Sequence, residues 1–342
     1  MLQQLIARYK RLRTEHFLRQ TFQCSYAFVG MGQHSLTNLY PVLSHLGVRL
    51  KYICVATERK GSFIAHRYPG TRVTTSLAEV LGDDEVRGVF VATSPSAHYP
   101  IALQVLQSGK SLFVEKPPCT SLAQLDSLIS ARQRHGSSVA MVGLQQRYAP
   151  AVVTLRKRLC REHLVSYDLH YLTGAYPEGD ALLDLFIHPL DLVVHLFGKP
   201  EVIACQQVGP GGMLLMLRHH SITGTLELST AYAWTTAEER LTVHSTAGIY
   251  QLSMPDELAF EPLPRSVGGI PTEKLWTRGR TTQHLHCRSM QPVMACNTVY
   301  TQGYYGEIER FLHAVEGRPS HIATSLEDVR DTYQLIGQLW PR

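Results

Sequence analysis

From Ser25 to about residue 147 the chain alternates short apolar runs with helical patterns, and no other feature narrows its fold as far. The candidate strands are residues 26–29, 50–56, 88–92, 111–114 and 139–142. They are apolar almost throughout rather than at alternate positions, as strands of a parallel sheet are when helices cover both faces. The helices between them carry end signals. Ser96 can cap a helix through Val105 that stops at Gly109, and Ser121 with Gln124 forms a capping box ahead of residues 125–129. After Pro150 strand-like runs follow one another directly, at residues 165–171, 202–207, 213–217, 223–229, 241–244 and 249–252. That pattern predicts a second, largely antiparallel sheet. The expected organisation is a helical extension over residues 1–24, a first α/β domain over 25–146 and a second over 147–342.

With 342 residues the chain is long enough for two cores, and with 44% hydrophobic and 18% charged residues it falls outside the disordered and membrane classes. A net charge of +5, dispersed apart from the N-terminus and without a nucleic-acid motif, argues against a nucleic-acid partner. The seven cysteines (24, 54, 119, 160, 205, 287 and 296) form no C-x-x-C pair, and their odd number argues for reduced thiols in a cytoplasmic protein. No apolar run reaches membrane-spanning length, and the N-terminus lacks a secretory core, so no membrane partner is expected. Residues 1–20 read as a helix with Leu2, Leu5, Ile6, Tyr9, Leu12 and His16 on one stripe and Arg8, Arg11, Arg13 and Arg19 off it. Such a helix docks on its own chain or on a second subunit; a targeting or membrane-surface segment is the alternative. Residues 263–300 read as an irregular loop, and residues 305–315 and 326–339 as closing helices.

Three constellations carry chemistry. Gly30-Met31-Gly32-Gln33-His34-Ser35 follows the first strand and opens a helix, the context in which a glycine loop lets backbone approach the pyrophosphate of a dinucleotide. Ser35 stands in place of a third glycine. At the end of the second strand an acid normally selects NAD, but here Ala56 and Thr57 precede Glu58, Arg59 and Lys60. A hydroxyl with two cations suits the 2′-phosphate of NADP, which is favoured over NAD; Glu58 argues the other way, and the cations also suit a plain helix start. Next, Glu115-Lys116-Pro117 ends an apolar run at a strand terminus, where open α/β sheets bind ligands, and a lysine there either faces a ligand or turns a solvated corner. Lastly, Asp184 and His188 share one face of an expected buried helix over 181–197, with Asp191 one turn on. A carboxylate and an imidazole so placed can relay a proton; a structural pair or half of a metal site would also fit. No third ligand stands at diagnostic spacing, so no metal is expected.

Taken in order, Gly30-x-Gly32, Ala92-Thr93-Ser94-Pro95-Ser96-x-His98, Glu115-Lys116-Pro117, Gly143-x-Gln145-x-Arg147-Tyr148-x-Pro150 and Asp184-x-x-x-His188-x-x-Asp191 closely resemble the glucose-fructose oxidoreductase/inositol dehydrogenase/rhizopine catabolism (Gfo/Idh/MocA) family. The resemblance spans about residues 25–200, and residues 306–318 less specifically. It implies a Rossmann-type parallel sheet joined to a C-terminal α/β domain with a large, mostly antiparallel open sheet, a nicotinamide cofactor, and a homo-oligomer, dimer or tetramer, formed through that sheet. It implies that Lys116, Asp184 and His188 match the catalytic lysine, aspartate and histidine. Cofactor-lining positions then fall on Gly30, Met31, Gly32, Gln33, His34, Thr93, Ser94, Pro95, His98, Glu115, Lys116 and Gln145, with Thr57, Arg59 and Lys60 at the adenosine end. The implied activity is NAD(P)-dependent oxidation or reduction of a secondary alcohol or ketone on a sugar, cyclitol or related polyol. A glycoside-cleaving enzyme working by transient oxidation and a non-catalytic NAD(P)-binding regulator are the alternatives. Phe186 between acid and histidine, Gly179 alone of a glycine-rich lead-in, and Pro118 depart from the family pattern.

Overall fold

The computed structural model describes residues 1–19, 22–136, 139–220, 222–264, 266–275, 281–286 and 297–339. Cys287, Cys296 and the greater part of residues 276–296 lie outside the described residues, as do the side chains of His16 and Arg19. The chain divides into two compact units. One comprises Met1–Pro118, Ser127–Met141 and Ile308–Ile322; the other comprises Cys119–Asp126, Val142–Glu307 and Ala323–Arg342.

The first sheet has six strands: β1 (Ser25–Val29), β2 (Arg49–Cys54), β3 (Arg72–Thr74), β4 (Val86–Val91), β5 (Ser111–Glu115) and β6 (Ala140–Gly143). Their order is β3-β2-β1-β4-β5-β6, and the pairings among β1 to β5 are parallel. This is the doubly wound order, whose direction reverses between β1 and β4. Phe28, Phe90 and Phe113 stand side by side in register and are fully buried, and Phe311 meets the last two edge-on at 5.0 and 5.7 Å. Each ring contributes roughly 1.5–3 kcal/mol by leaving water. β3 is the strand that pattern reading misses. It is three residues long, at the sheet edge and without a buried side chain, so no apolar run announces it.

The second sheet runs β16-β13-β12-β11-β7-β10-β9-β8, built from β7 (Leu164–Gly174), β8 (Glu201–Val208), β9 (Gly212–Arg218), β10 (Thr223–Tyr232), β11 (Glu238–Ser245), β12 (Gly248–Ser253), β13 (Glu257–Pro262) and β16 (Thr282–His286). Only β7 with β10 is parallel; the other pairings are antiparallel. Alternation assigns the faces. Tyr167 and Leu169 of β7 and Leu241 and Val243 of β11 are buried on one side, while Asp168, His170, Thr242 and His244 stand part-exposed on the other. The helix Ile187–Phe197 covers the buried side, with Phe197 stacked on Tyr167 at 4.4 Å. Within this unit Arg147 is sealed from water and donates to both oxygens of Asp191 at 2.7 and 2.5 Å, and Thr332 adds a third bond at 2.9 Å. Pairing of this quality is what allows two charges to be buried.

Three expectations are corrected. Residues 263–300 are not wholly irregular: β16 extends the sheet, and β14 (Ser266–Val267) with β15 (Ile270–Pro271) forms a short hairpin. In the N-terminal helix, Leu2–Arg19, the described stripe residues Leu2, Leu5, Ile6, Tyr9 and Leu12 are all exposed, so of the two docking expectations the one on its own chain is not met by them. The expected single helix over 181–197 is two, Ala181–Asp184 and Ile187–Phe197. Pro189 causes the break. It has no N–H for the carbonyl of Leu185, which instead accepts from His188 N–H at 3.2 Å. Among the described residues no helix is long and apolar enough to cross a membrane.

Candidate active site

Parallel strands leave their carboxyl ends on one edge of the sheet, and in the first unit the loops leaving those ends surround a cavity of about 700 Å³. Gly30 sits at φ +85°, a left-handed conformation that side chains disfavour, and its N–H bonds to the Cys54 carbonyl at 2.8 Å. A Cβ on Gly30 would lie 2.5 Å from the Ala92 carbonyl, whereas one on Gly32 would meet open space. The first glycine is therefore demanded by the fold, and the second leaves the loop bare toward the cavity. Ser35, in place of a third glycine, is 1% exposed, small enough for the close packing that position requires.

Met31, Gln33, His34, Thr93, Ser94, Pro95, His98, Glu115 and Lys116 line the same cavity. His34 Nδ1 pairs with the Asn38 amide at 3.1 Å, which leaves the Nε2–H to face Glu115 Oε1, 3.5 Å away. Glu115 is buried at the very end of β5, and Lys116, the next residue, is half-buried. His98 lies beneath them, its Nδ1 2.9 Å from the Pro117 carbonyl and its Nε2 3.1 Å from the Thr93 carbonyl. Burial holds the His98 pKa below the ordinary histidine value, against the raising effect of those carbonyls and of Glu115. At the far end, after β2, Ala56 and Lys60 line the cavity, and Thr57 and Arg59 are not among its walls. Thr57 is instead the N-cap of the helix Glu58–Arg67, accepting from Lys60 N–H, and Arg59 is exposed. Gln145 belongs to the second unit, on the short helix Gln145–Tyr148.

Asp184 and His188 also belong to the second unit, on either side of the helix break. Asp184 is 7% exposed, and its Oδ2 accepts from the Asp180 N–H at 3.1 Å and from the Tyr176 hydroxyl at 3.3 Å. Burial, together with the Asp184 charge, pushes Tyr176 up to about 12, which keeps it a donor. Gly179 explains itself here: a Cβ would fall 2.3 Å from Asp184 Oδ2. Phe186 is buried in the break and meets the Tyr171 ring edge-on at 6.1 Å. Beside Tyr171 in register stands Glu239 of β11, a residue that motif reading does not single out. Glu239 accepts from Gln146 Nε2 at 3.0 and 2.8 Å, and burial pushes its pKa up to about 7. The signal for it was present in Glu239-Arg240-Leu241-Thr242-Val243, where alternation puts an acid in line with Leu241 and Val243 on the buried face. Among the described residues no group of three or more His, Cys, Asp or Glu side chains is arranged to hold a metal ion.

Residues 24–144 match an oxidoreductase family with an NAD-binding Rossmann fold, Gfo/Idh/MocA. The inositol 2-dehydrogenase of Acidothermus cellulolyticus is 30% identical over 141 residues, covering 39% of this chain and 41% of that enzyme, so the chain spans less than half of this curated relative. Among solved structures, a dehydrogenase from Chromobacterium violaceum superposes with a TM-score of 0.75 at 21% identity, over 92% of this chain and 94% of that one. GenD2 from gentamicin A biosynthesis, solved in complex with NAD, gives 0.73 at 24% identity over 95% of both chains. At these identities the structures speak for the fold alone, and the sequence match is confined to the glycine-loop sheet: residues 24–144 match the NAD-binding Rossmann part of the Gfo/Idh/MocA family of oxidoreductases.

Proposed function

We propose that the protein is an NAD(P)-dependent oxidoreductase that interconverts a secondary alcohol and a ketone on a sugar, cyclitol or related polyol. The observation that carries this reading is Lys116, which lines one cavity with the bare Gly30–Gly32 turn and so joins a chemically active side chain to a dinucleotide cradle. The residues fit the cofactor: the loop backbone and the first turn after it would hold the pyrophosphate, and the ends of β4 and β5 would flank the nicotinamide. When bound, the nicotinamide supplies a two-electron acceptor or donor. The chain's own residues then handle the proton and the developing charge. In the oxidation direction His188 takes the hydroxyl proton, Lys116 stabilises the oxyanion, and Asp184 orients the imidazole. Reduction reverses these roles.

NADP is favoured over NAD because the end of β2 presents Ala56 and Lys60, with no carboxylate there among the cavity walls. Lys60 is the cation for a 2′-phosphate, and Arg59 drops out of that role. The exposed Leu214 and Met216 on the outer face of the second sheet support association of copies through it. The test is Lys116→Ala. Turnover with a panel of polyols, cyclitols and keto-sugars, followed at the nicotinamide absorbance band, is expected to fall on the order of 100-fold, with cofactor affinity largely retained. Undiminished turnover would remove Lys116 from the chemistry and the reading with it.

A further inference from the structure

Glu239 is a carboxylate in a position built for an apolar side chain. Its neighbours along the strand on the same face, Leu241 and Val243, are fully buried. Its cross-strand neighbour on β7 is Tyr171, and Tyr171 in turn contacts Phe186, the residue between Asp184 and His188. Glu239 is part-buried rather than sealed from solvent. Among the described residues its donor is a single neutral amide: Gln146 Nε2 spans both carboxylate oxygens. Gln146 is 8% exposed, and its own Oε1 has no hydrogen-bond partner, so the amide cannot turn over without opposing oxygen to oxygen. The cation next in sequence, Arg240, points to the other face and pairs with Glu238 at 3.0 Å. Among the described residues no cationic side chain is paired with Glu239. A desolvated carboxylate with one neutral donor lacks a positive charge, and lone pairs are free to accept one.

We propose that Glu239, held by Gln146, is the specificity determinant of the substrate site and recognises a protonated primary amine on the substrate, making the preferred substrates amino sugars or aminocyclitols. A hydroxyl could fill a lone pair but would leave the charge uncompensated, so the charge is what separates the two classes. The elevated pKa agrees with a site that gains most from a cation. Fewer than half of the Glu239 side chains are ionised below about pH 7, so the preference for an ammonium should weaken as the pH falls through that value. This inference rests on the placement of Asp184 and His188 at the reacting centre.

The experiment is titration calorimetry on the full chain with oxidised NADP present, using three matched pairs: glucosamine with glucose, galactosamine with galactose, and an inosamine with the corresponding inositol. Affinities for the amines are corrected to their ammonium form from separate titrations. At least one amine is expected to bind about tenfold or more tightly than its hydroxyl counterpart. That advantage should shrink between about pH 8 and about pH 6. It should disappear in Glu239→Gln and survive in Glu239→Asp, and the wild-type pH series stands without either variant. Absence of any amine preference in all three pairs, whether through equal binding or none, overturns the proposal. So does a preference that persists in Glu239→Gln. Calorimetry reads binding without turnover: amine preference without nicotinamide reduction would defeat the oxidoreductase reading alone, and reduction without preference would defeat this inference alone.

Discussion

The cavity at the glycine loop and the corner around Asp184 and Glu239 present opposite kinds of surface. The loop offers main-chain groups, and its one strict demand on sequence is negative: Gly30 must carry no side chain, because a Cβ would strike the Ala92 carbonyl. The corner offers carboxylates whose few donors are side chains and one backbone N–H, Tyr176 and Asp180 for Asp184 and Gln146 for Glu239. A backbone cradle fails by steric collision, all at once. A carboxylate fails by degrees, as its charge, its donors or its proton is changed. The same contrast explains why a glycine loop can be read from local sequence, whereas a charged corner depends on partners some ninety residues away, as Gln146 and Glu239 are.

Gly30→Val is the harshest challenge to this contrast. The φ of +85° and the collision with Ala92 together should abolish measurable cofactor binding, a loss on the order of 100-fold or more, in a fluorescence titration on protein whose circular dichroism is native. Binding at wild-type strength would break the comparison. A smaller effect is expected at the adenosine end. Lys60→Ala should lower affinity for NADP roughly tenfold and leave NAD nearly unchanged, the scale of one charge-assisted hydrogen bond, while Arg59→Ala behaves as wild type. An unchanged NADP to NAD ratio in Lys60→Ala would mean that the backbone cradle alone sets affinity there.

The smallest effect concerns stability. The folded pKa of Glu239, about 7, lies above its ordinary 4.5, so the folded state holds the proton more tightly than the unfolded chain. Stability is therefore unaffected below the ordinary value, falls as pH rises between the two values, and stays reduced above about 7. Glu239→Gln has no such dependence. It should melt a few degrees higher than wild type near pH 8, for a gain on the order of 1–2 kcal/mol after allowing for solvent screening, and nearly level with it near pH 4.5. Equal melting temperatures throughout would show Glu239 to be fully solvated and sharpen the comparison in favour of the loop.

The parallel sheet was legible because its strands are apolar runs separated by capped helices: Ser121 does accept from Gln124 N–H, and Gln124 reaches back to Thr120 N–H. The other cap was displaced, since Ser94 rather than Ser96 precedes the helix Pro95–Gln107. The antiparallel sheet was legible where one face is buried, and β13 and β16 were not, because Leu258 is the only buried residue in the two strands together. The helix break needed only the proline rule applied at Pro189. The site divided in the same way. Residues tied to the glycine loop came through as walls of one cavity, whereas Thr57 was lost to helix capping, a use of a hydroxyl that sequence alone does not distinguish from ligand binding. Alternation along β11 hinted at Glu239 as a misplaced acid, but its pairing with Gln146, 93 residues away, is something no local pattern reports.

His98 stands between two carbonyls, those of Thr93 and Pro117, and neither can donate. A neutral imidazole carries one N–H, and burial favours the neutral ring. One proton thus serves two loops in turn: with hydrogen on Nδ1 the Lys116–Pro117 turn is fastened and the Thr93 loop faces a bare lone pair, and with hydrogen on Nε2 the situation is reversed. Two walls of the cavity are in this way set against each other like the ends of a balance, and acidification, by supplying the second hydrogen, would fasten both.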